Sequence, residues 1–275
     1  MTAIRIERLP SAGSTHDELR ARWRDSLGRL EPGAVVATET QTAGRGRHGR
    51  VWTAPAGRCL AMSVLVVAEE RPEAAEGFAW LALAAGLATR EAVAALADDP
   101  GRVRLKWPND VLVDGRKLSG VLGELLDPMP GRLAASLGIG VNLDLEEAEL
   151  PVPHATSLRI AGIPLPAAER ERLPEAIAAG LLERADRLEA AGWDAVRSGL
   201  AAELEAACST IGQDVRAALP GGGAVMGRAV GIDARGRLLI ARDDAPGAAP
   251  YALAAGDVER VRPQGPQSAS GAPER

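Results

Sequence analysis

The sequence predicts an α+β domain built on a largely antiparallel sheet, followed by a small, separate β-barrel. Two observations lead there. Four strand-like runs (103–107, 111–113, 118–126 and 133–141) follow one another with no helical stretch between them, and Asp114-Gly115 is a two-residue hairpin turn. Strands joined this way are antiparallel, which excludes a doubly wound parallel sheet. After Cys208 the texture changes to short β-like runs alternating with Gly/Pro/Asp turns, the pattern of a small barrel. The expected boundaries are 1–208 for the large domain, 209–263 for the barrel and 264–275 for a Pro/Gly/Ser-rich disordered tail.

The remaining elements follow in chain order. Thr15 and Glu18 form a capping-box pattern ahead of Leu19, Trp23, Leu27 and Leu30, whose spacing predicts an amphipathic helix. Residues 34–38 are a short apolar strand feeding a Gly/Arg segment, 44–50. Residues 60–67 read as a strand and 78–96 as a long, mostly buried helix, with helical patterns again at 168–188 and 193–207. The barrel strands are expected at 215–219, 225–232, 238–241 and 251–254, with 220–223 as one of the turns.

Composition narrows the function. The chain is 46% hydrophobic, enough for a real core, but has one Phe and one Tyr, so Ala, Leu and Val must fill it. A net charge of −5 argues against binding along nucleic acid, which needs a broad cationic surface. Cys59 and Cys208 form no CxxC pair and read as buried, reduced thiols. His16, His48 and His154 show no metal-ligand spacing, so no protein metal site is expected. The N-terminus lacks a signal-peptide stretch, and the most apolar run, 77–89, is shorter than the ~18 residues of a spanning helix. The expectation is a cytoplasmic protein that does not engage membranes.

Three segments carry chemistry. In Gly44-Arg45-Gly46-Arg47-His48-Gly49-Arg50 the glycines let backbone N–H groups close on a ligand, and the arginines suit carboxylate or phosphate. A solvated basic loop is the alternative. The segment also fits GxGxxG, but Val51-Trp52-Thr53-Ala54-Pro55 is poor material for the helix that a dinucleotide fingerprint must open. In Lys106-Trp107-Pro108-Asn109-Asp110 and Lys117-Leu118-Ser119-Gly120, hairpin pairing sets Leu112 opposite Lys117 and Asp110 opposite Ser119. Asp110, Ser119 and Lys117 should then share one face, with Asp110 and Lys117 as diagonal neighbours, either a structural ion pair or ligand groups. In Gly138-Ile139-Gly140-Val141-Asn142, glycines inside a strand mark close approach by a ligand or another backbone, and Asn142 offers an amide to a base edge.

In this order the segments resemble the biotin–protein ligase family. Residues 41–50 followed by Trp52 are similar to its signature loop, 106–110 to its KWPND segment, 117–120 to its K-L-(A/S)-G segment and 138–142 to its GxGxN segment. Ser14-Thr15 stands where the family has Ser-Thr-Asn, with His16 in place of the usual Asn. The resemblance implies a mixed sheet flanked by helices, related to class II aminoacyl-tRNA synthetases, and an SH3-like C-terminal barrel. It implies activation of biotin by MgATP to biotinyl-5′-AMP, then transfer to a lysine of a biotin carboxyl carrier protein domain of a biotin-dependent carboxylase. Biotin would be held by Ser14, Thr15, His16, Gln41, Gly44, Arg45, Gly46, Arg47, Lys117, Gly138 and Gly140. ATP would meet Arg47, Arg50, Trp52, Asp110, Lys117 and Asn142, with Lys117 and Arg47 catalytic. Only thirteen residues precede Ser14, too few for the DNA-binding module of some members, so no DNA partner is expected, and a monomer or homodimer is. A lipoate–protein ligase, with the same fold and reaction type, is the nearest rival.

Overall fold

The structure is a computed structural model and describes residues 2–52, 54–219, 222–254 and 256–260. The expected tail at 264–275 and part of the turn at 220–223 lie outside the described residues. The first half contains β1 (Arg5–Arg8), α1 (Thr15–Asp25), β2 (Ala34–Thr38), β3 (Gly44–Arg45), β4 (Val51–Trp52), β5 (Cys59–Glu69), α2 (Pro72–Gly77) and α3 (Ala79–Ala94). Then come β6 (Val103–Lys106), β7 (Asp110–Val113), β8 (Arg116–Leu125), β9 (Arg132–Asn142), α4 (Ala167–Ala190) and α5 (Leu200–Ala207). The C-terminal strands are β10 (Asp214–Ala218), β11 (Ala224–Ile232), β12 (Leu238–Arg242), β13 (Tyr251–Leu253) and β14 (Asp257–Arg260).

Seven strands form the main sheet in the order β1-β2-β5-β9-β8-β7-β6. Only β1–β2 is parallel, so the sheet is mixed and largely antiparallel, as expected. Alternation gives the sheet two unlike faces. Leu60, Met62, Val64 and Val66 of β5 lie beside Val141, Ile139, Leu137 and Ala135 of β9. This face packs on α3 and α4, where Trp80, Leu81, Ile177 and Leu181 are fully buried. The other face is covered only in part. Leu19 and Trp23 of α1 seal one end against Val36, Leu65 and Ala134, each such burial contributing roughly 1.5–3 kcal/mol. Beyond α1 this face carries Gly138, Gly140 and Gly120, side by side on β9 and β8, a strip of sheet without side chains.

Several local expectations give way to tertiary contacts. Ser14 is the N-cap of α1 without a side-chain cap bond, and Thr15, first in the helix, turns its hydroxyl to Gln41 instead of closing a capping box. The helix stops at Asp25; Leu27 adopts φ 52° and is 71% exposed, so it leaves the apolar stripe. Residues 193–207 are not one helix: Trp193 has φ 65°, stacks on Phe78 at 5.4 Å between ring centroids, and α5 begins at Leu200. The hairpin pairs Leu112 with Lys117 as expected, but a bulge then shifts the register, setting Val111 opposite Ser119 and Asp110 opposite Gly120. Ser119 is thereby turned to the core face beside Val111 and Val141 and does not join Asp110 and Lys117. One extra residue in one strand inverts every side chain beyond it.

The C-terminal strands form an antiparallel sheet in the order β13-β12-β11-β10-β14. Its edge strands are consecutive in the chain, and Leu253 and Asp257 are four residues apart. Four residues span at most about 14 Å, whereas opposite edges of a flat five-stranded sheet lie about 19 Å apart. The sheet must therefore curl toward a barrel. It docks by the turn at 233–237: Trp80 Nε1 donates to Ala234 O at 2.8 Å and Trp107 Nε1 to Gly236 O at 3.0 Å. Val215, Ala217, Leu238 and Ile240 belong to the same hydrophobic core as α3, so apolar packing runs on across the boundary near residue 208.

Candidate active site

The glycine strip is a floor, and three pieces of chain build on it. The first is the start of α1. Residues 41–43 run alongside 12–13, with Thr42 N–H donating to Ala12 O and Ala43 N–H to Gly13 O. That contact delivers Gln41 to the helix N-terminus, where its Oε1 accepts from Thr15 N at 2.9 Å and Thr15 Oγ1 at 3.3 Å. Ser63 of β5 donates to Thr15 Oγ1 at 2.9 Å. Ser14, Thr15 and His16 are all buried.

His16 lies directly on the floor. A methyl group at Gly138 would stand 2.1 Å from its Nε2, so the absent side chain makes room for this ring. Nδ1 is 2.7 Å from Ser136 Oγ, while Nε2 is buried without a hydrogen-bond partner. Burial pushes the imidazole's pKa below its ordinary value, against the pull of Glu124, so the ring is neutral.

The second piece is the Gly/Arg segment, which forms a small hairpin: Gly44 pairs with Trp52 and Arg45 with Val51, and Gly46 N–H donates to Arg50 O at 2.7 Å. Gly44 is obligatory, because a methyl there would meet Gln41 Nε2 at 2.2 Å and Trp52 O at 2.4 Å. Beneath the hairpin lies a cavity of about 510 Å³ lined by Gly44, Arg45, Gly46, Arg47, Arg50 and Glu124, among others. Arg45 is anchored by a two-bond contact to Asp17 (2.7 and 2.8 Å) and lies 3.5 Å from Glu124. That contact holds the Asp17 carboxyl below the usual range. Arg47 Nη1 donates to Asn109 Oδ1 at 3.2 Å. Trp52 lies over Gly140, where a methyl would meet its ring at 2.5 Å, and touches the Gly120 position as well.

The third piece is the β7–β8 hairpin. Lys117 Nζ is 2.6 Å from Asp110 Oδ1 and 5.9 Å from the centre of the Trp52 ring, so the diagonal pairing survives the bulge. Lys117 is fixed by its backbone too, with its N–H on His154 O and its C=O receiving Thr156 N–H.

The structure therefore gathers Ser14, Thr15, His16, Gln41, Gly44, Arg45, Gly46, Arg47, Arg50, Trp52, Asp110, Lys117, Gly138 and Gly140 around one face. Asn142 follows Gly140 by two residues on the same face of β9, but its amide is engaged within the protein. It is 2% exposed, its Nδ2 donates to Thr156 O at 2.8 Å and its Oδ1 accepts from Cys59 Sγ at 3.3 Å, so most of its amide is spent inside the protein. Cys59, its thiol pushed up to about 12 by burial, is no nucleophile. Ser63, Ser136, Asp17 and Glu124 join the site from outside the three motif segments, and Asn109 joins it from within 106–110. Ser63 and Ser136 had left a signal, as lone polar residues within the apolar strand runs CLAMSVLVV and LAASLGIG. Among the described residues no group of His, Cys, Asp and Glu is arranged to hold a metal, and no helix is long and apolar enough to cross a membrane.

Comparison with known proteins agrees with this geometry. The chain matches the model of the biotin/lipoate A/B protein ligase family over residues 10–144 and that of the biotin protein ligase C-terminal domain over 210–260. It is 40% identical to the biotin–[acetyl-CoA-carboxylase] ligase of Mycobacterium tuberculosis, covering 94% of this chain and 89% of that protein. The fold is similar to that of the biotin protein ligase from Aquifex aeolicus in complex with biotin and ATP, at TM-score 0.71 and 24% identity, covering 93% of this chain and 99% of the other. It also resembles the Leishmania major biotin protein ligase in complex with biotinyl-5-AMP, at TM-score 0.58 and 27% identity, covering 94% and 98%.

Proposed function

The chain belongs to the biotin/lipoate A/B protein ligase family, as a biotin protein ligase that activates biotin and transfers it to protein, and from that premise we propose how its own residues do so. The observation that supports the assignment best is the side-chain-free strip at Gly138, Gly140 and Gly120, bounded by Thr15–Gln41–Ser63 at one end and Lys117–Asp110 at the other. A flat, uncharged ring system fits the first end and a carboxylate meeting a phosphate fits the second.

In this reading Ser14, Thr15, His16 and Gln41 hold the ureido ring of biotin. Arg45 and Gly46 wrap its flank, and Gly138 and Gly140 pass beneath it once the His16 and Trp52 rings that lie on them move aside. The carboxylate points to Lys117, which leaves Asp110 to neutralise charge developing at the α-phosphate. Arg47 and Arg50 close over that phosphate, and Trp52 covers the nucleotide. The carboxylate oxygen attacks the α-phosphorus and pyrophosphate departs. An incoming lysine amine then attacks the acyl carbon of the mixed anhydride and AMP departs with the bonding pair. No enzyme nucleophile takes part. The site contributes position and fixed cations facing charge that appears only in the transition state. Closure of the hairpin shields the anhydride from water. Magnesium enters this reading with the ATP substrate.

The acceptor is proposed to be the biotin carboxyl carrier domain of a biotin-dependent carboxylase, in keeping with the acetyl-CoA carboxylase named for the M. tuberculosis relative. ATP–pyrophosphate exchange with biotin, lipoate or octanoate tests the acid, and transfer to a purified carrier domain tests the acceptor. Exchange should require biotin. Equal or faster exchange with lipoate would overturn the assignment of the ring-binding end.

A further inference from the structure

We propose that Trp107 is a positioning residue through which the C-terminal sheet holds the Gly/Arg hairpin over the nucleotide. Trp107 lies in the segment that resembles the family's KWPND string, yet it is 2% exposed and packed in the main hydrophobic core. Its Nε1 donates to Gly236 O at 3.0 Å and its backbone N–H to Thr210 Oγ1 at 3.0 Å, so both of its donors are satisfied by residues beyond 208.

The receiving turn is stiff. Asp233 Oδ1 accepts from Arg235 N and Arg237 N, both at 2.9 Å, Oδ2 accepts from Arg237 Nε at 2.7 Å, and Gly236 N–H closes on Asp233 O. Two residues after Trp107, Asn109 reaches the active site. Its Nδ2 donates to Val121 O at 2.8 Å and its Oδ1 accepts from Arg47 Nη1 at 3.2 Å. Pro108 stands between them, and its ring fixes φ, which removes slack from a link only one residue long. One cleft of about 440 Å³ is lined by residues from every member of this chain, Arg47, Trp107, Asn109, Arg235 and Gly236. The C-terminal turn, Trp107, Asn109 and Arg47 are thus in continuous contact.

The molecule contains its own control. Trp80 Nε1 donates to Ala234 O at 2.8 Å, the same kind of bond to the same turn, but Trp80 sits on α3 and is not a chain neighbour of Asn109, the residue that accepts from Arg47. Replacing either tryptophan by Phe removes one buried N–H donor and should cost comparable stability. Only Trp107→Phe should loosen the hairpin.

Trypsin reads the hairpin directly, because it cuts after Arg45, Arg47 and Arg50 when the segment opens, at a rate that follows the opening equilibrium. Digestion of the full-length protein, with cut sites mapped by mass spectrometry, should show Trp107→Phe cleaved at 45–50 about fivefold faster than wild type, the consequence of losing one hydrogen bond in the link. Trp80→Phe, compared at an equal interval below its own Tm, should match wild type. Equal cleavage of the two variants would overturn the proposal. If Trp107→Phe does not accumulate folded, Thr210→Val removes the other anchor of Trp107 and takes its place. The inference rests on Arg47 acting at the nucleotide, so release of biotinyl-AMP is measured beside cleavage. Faster cleavage without faster release would leave the link standing and refute the role given to Arg47.

Discussion

Gly138→Ala is the sharpest test of how the floor is built. The new methyl would lie 2.1 Å from His16 Nε2, where ordinary contact begins at 3.4 Å, so the ring must retreat by 3.4 − 2.1 = 1.3 Å. A shift of that size breaks the 2.7 Å contact between Nδ1 and Ser136 Oγ. Overpacking of this kind costs about 1–3 kcal/mol, and the lost buried hydrogen bond about 1 kcal/mol more. The variant should therefore be ~2–4 kcal/mol less stable, a fall in Tm of roughly 5–15 °C for a chain this long. Biotin affinity should fall with it, since His16 is displaced into the ring-binding end. A double-mutant cycle with His16→Ala, read by urea unfolding, assigns the cause. In the double variant the methyl enters space vacated by the imidazole, so its stability should be close to that of His16→Ala alone. Costs that add to within about 0.5 kcal/mol would show that His16 and Gly138 do not interact, and the account of the floor would be wrong.

Three further outcomes are expected. Lys117→Ala should slow biotin-dependent pyrophosphate exchange by roughly 10- to 150-fold, the loss of one charge-assisted contact worth about 1.5–3 kcal/mol. Lys106→Ala, on β6 further from the floor, should cost less, and the opposite ranking would reverse the assigned roles. Arg47→Gly should bind biotin nearly normally yet release biotinyl-AMP faster, seen as biotin on lysines of an unrelated bystander protein; no labelling above wild type in a variant that still forms the adenylate would remove Arg47 from retention. Stability should fall on the acid side. The His16 pKa is depressed by burial, so between its folded value and its unfolded value of about 6.5 only the unfolded chain gains the proton, and stability present above pH ~6.5 is lost as pH falls. His154, also depressed by burial and by Lys106 and Lys117, adds with the same sign. His16→Asn should flatten this loss in urea midpoints taken from pH 7.5 to 5.5, and an unchanged slope would count against a buried neutral imidazole.

The sequence by itself determined the antiparallel succession from 103 to 141, the Asp114-Gly115 turn, the strand at Ala34–Thr38 and the Gly/Arg and Gly-x-Gly strings that the fold brings to one face. All of these are written in neighbouring residues: period-2 alternation, turn chemistry, and glycines interleaved with arginines. Tertiary structure decided what those strings touch. The bulge that sends Ser119 into the core depends on how β8 must register with both β7 and β9 at once. Asn142 looks free in its strand and is closed off by Cys59 and Thr156, 83 and 14 residues away. His16 sits where the chain brings Ser136 and Gly138 together, and Trp107 finds its acceptor 129 residues later in a turn of the C-terminal sheet. Local pattern fixes which face a side chain takes within its own element. Which atom it meets there is set by long-range packing, because a buried polar group must find whatever partner the completed core leaves within reach.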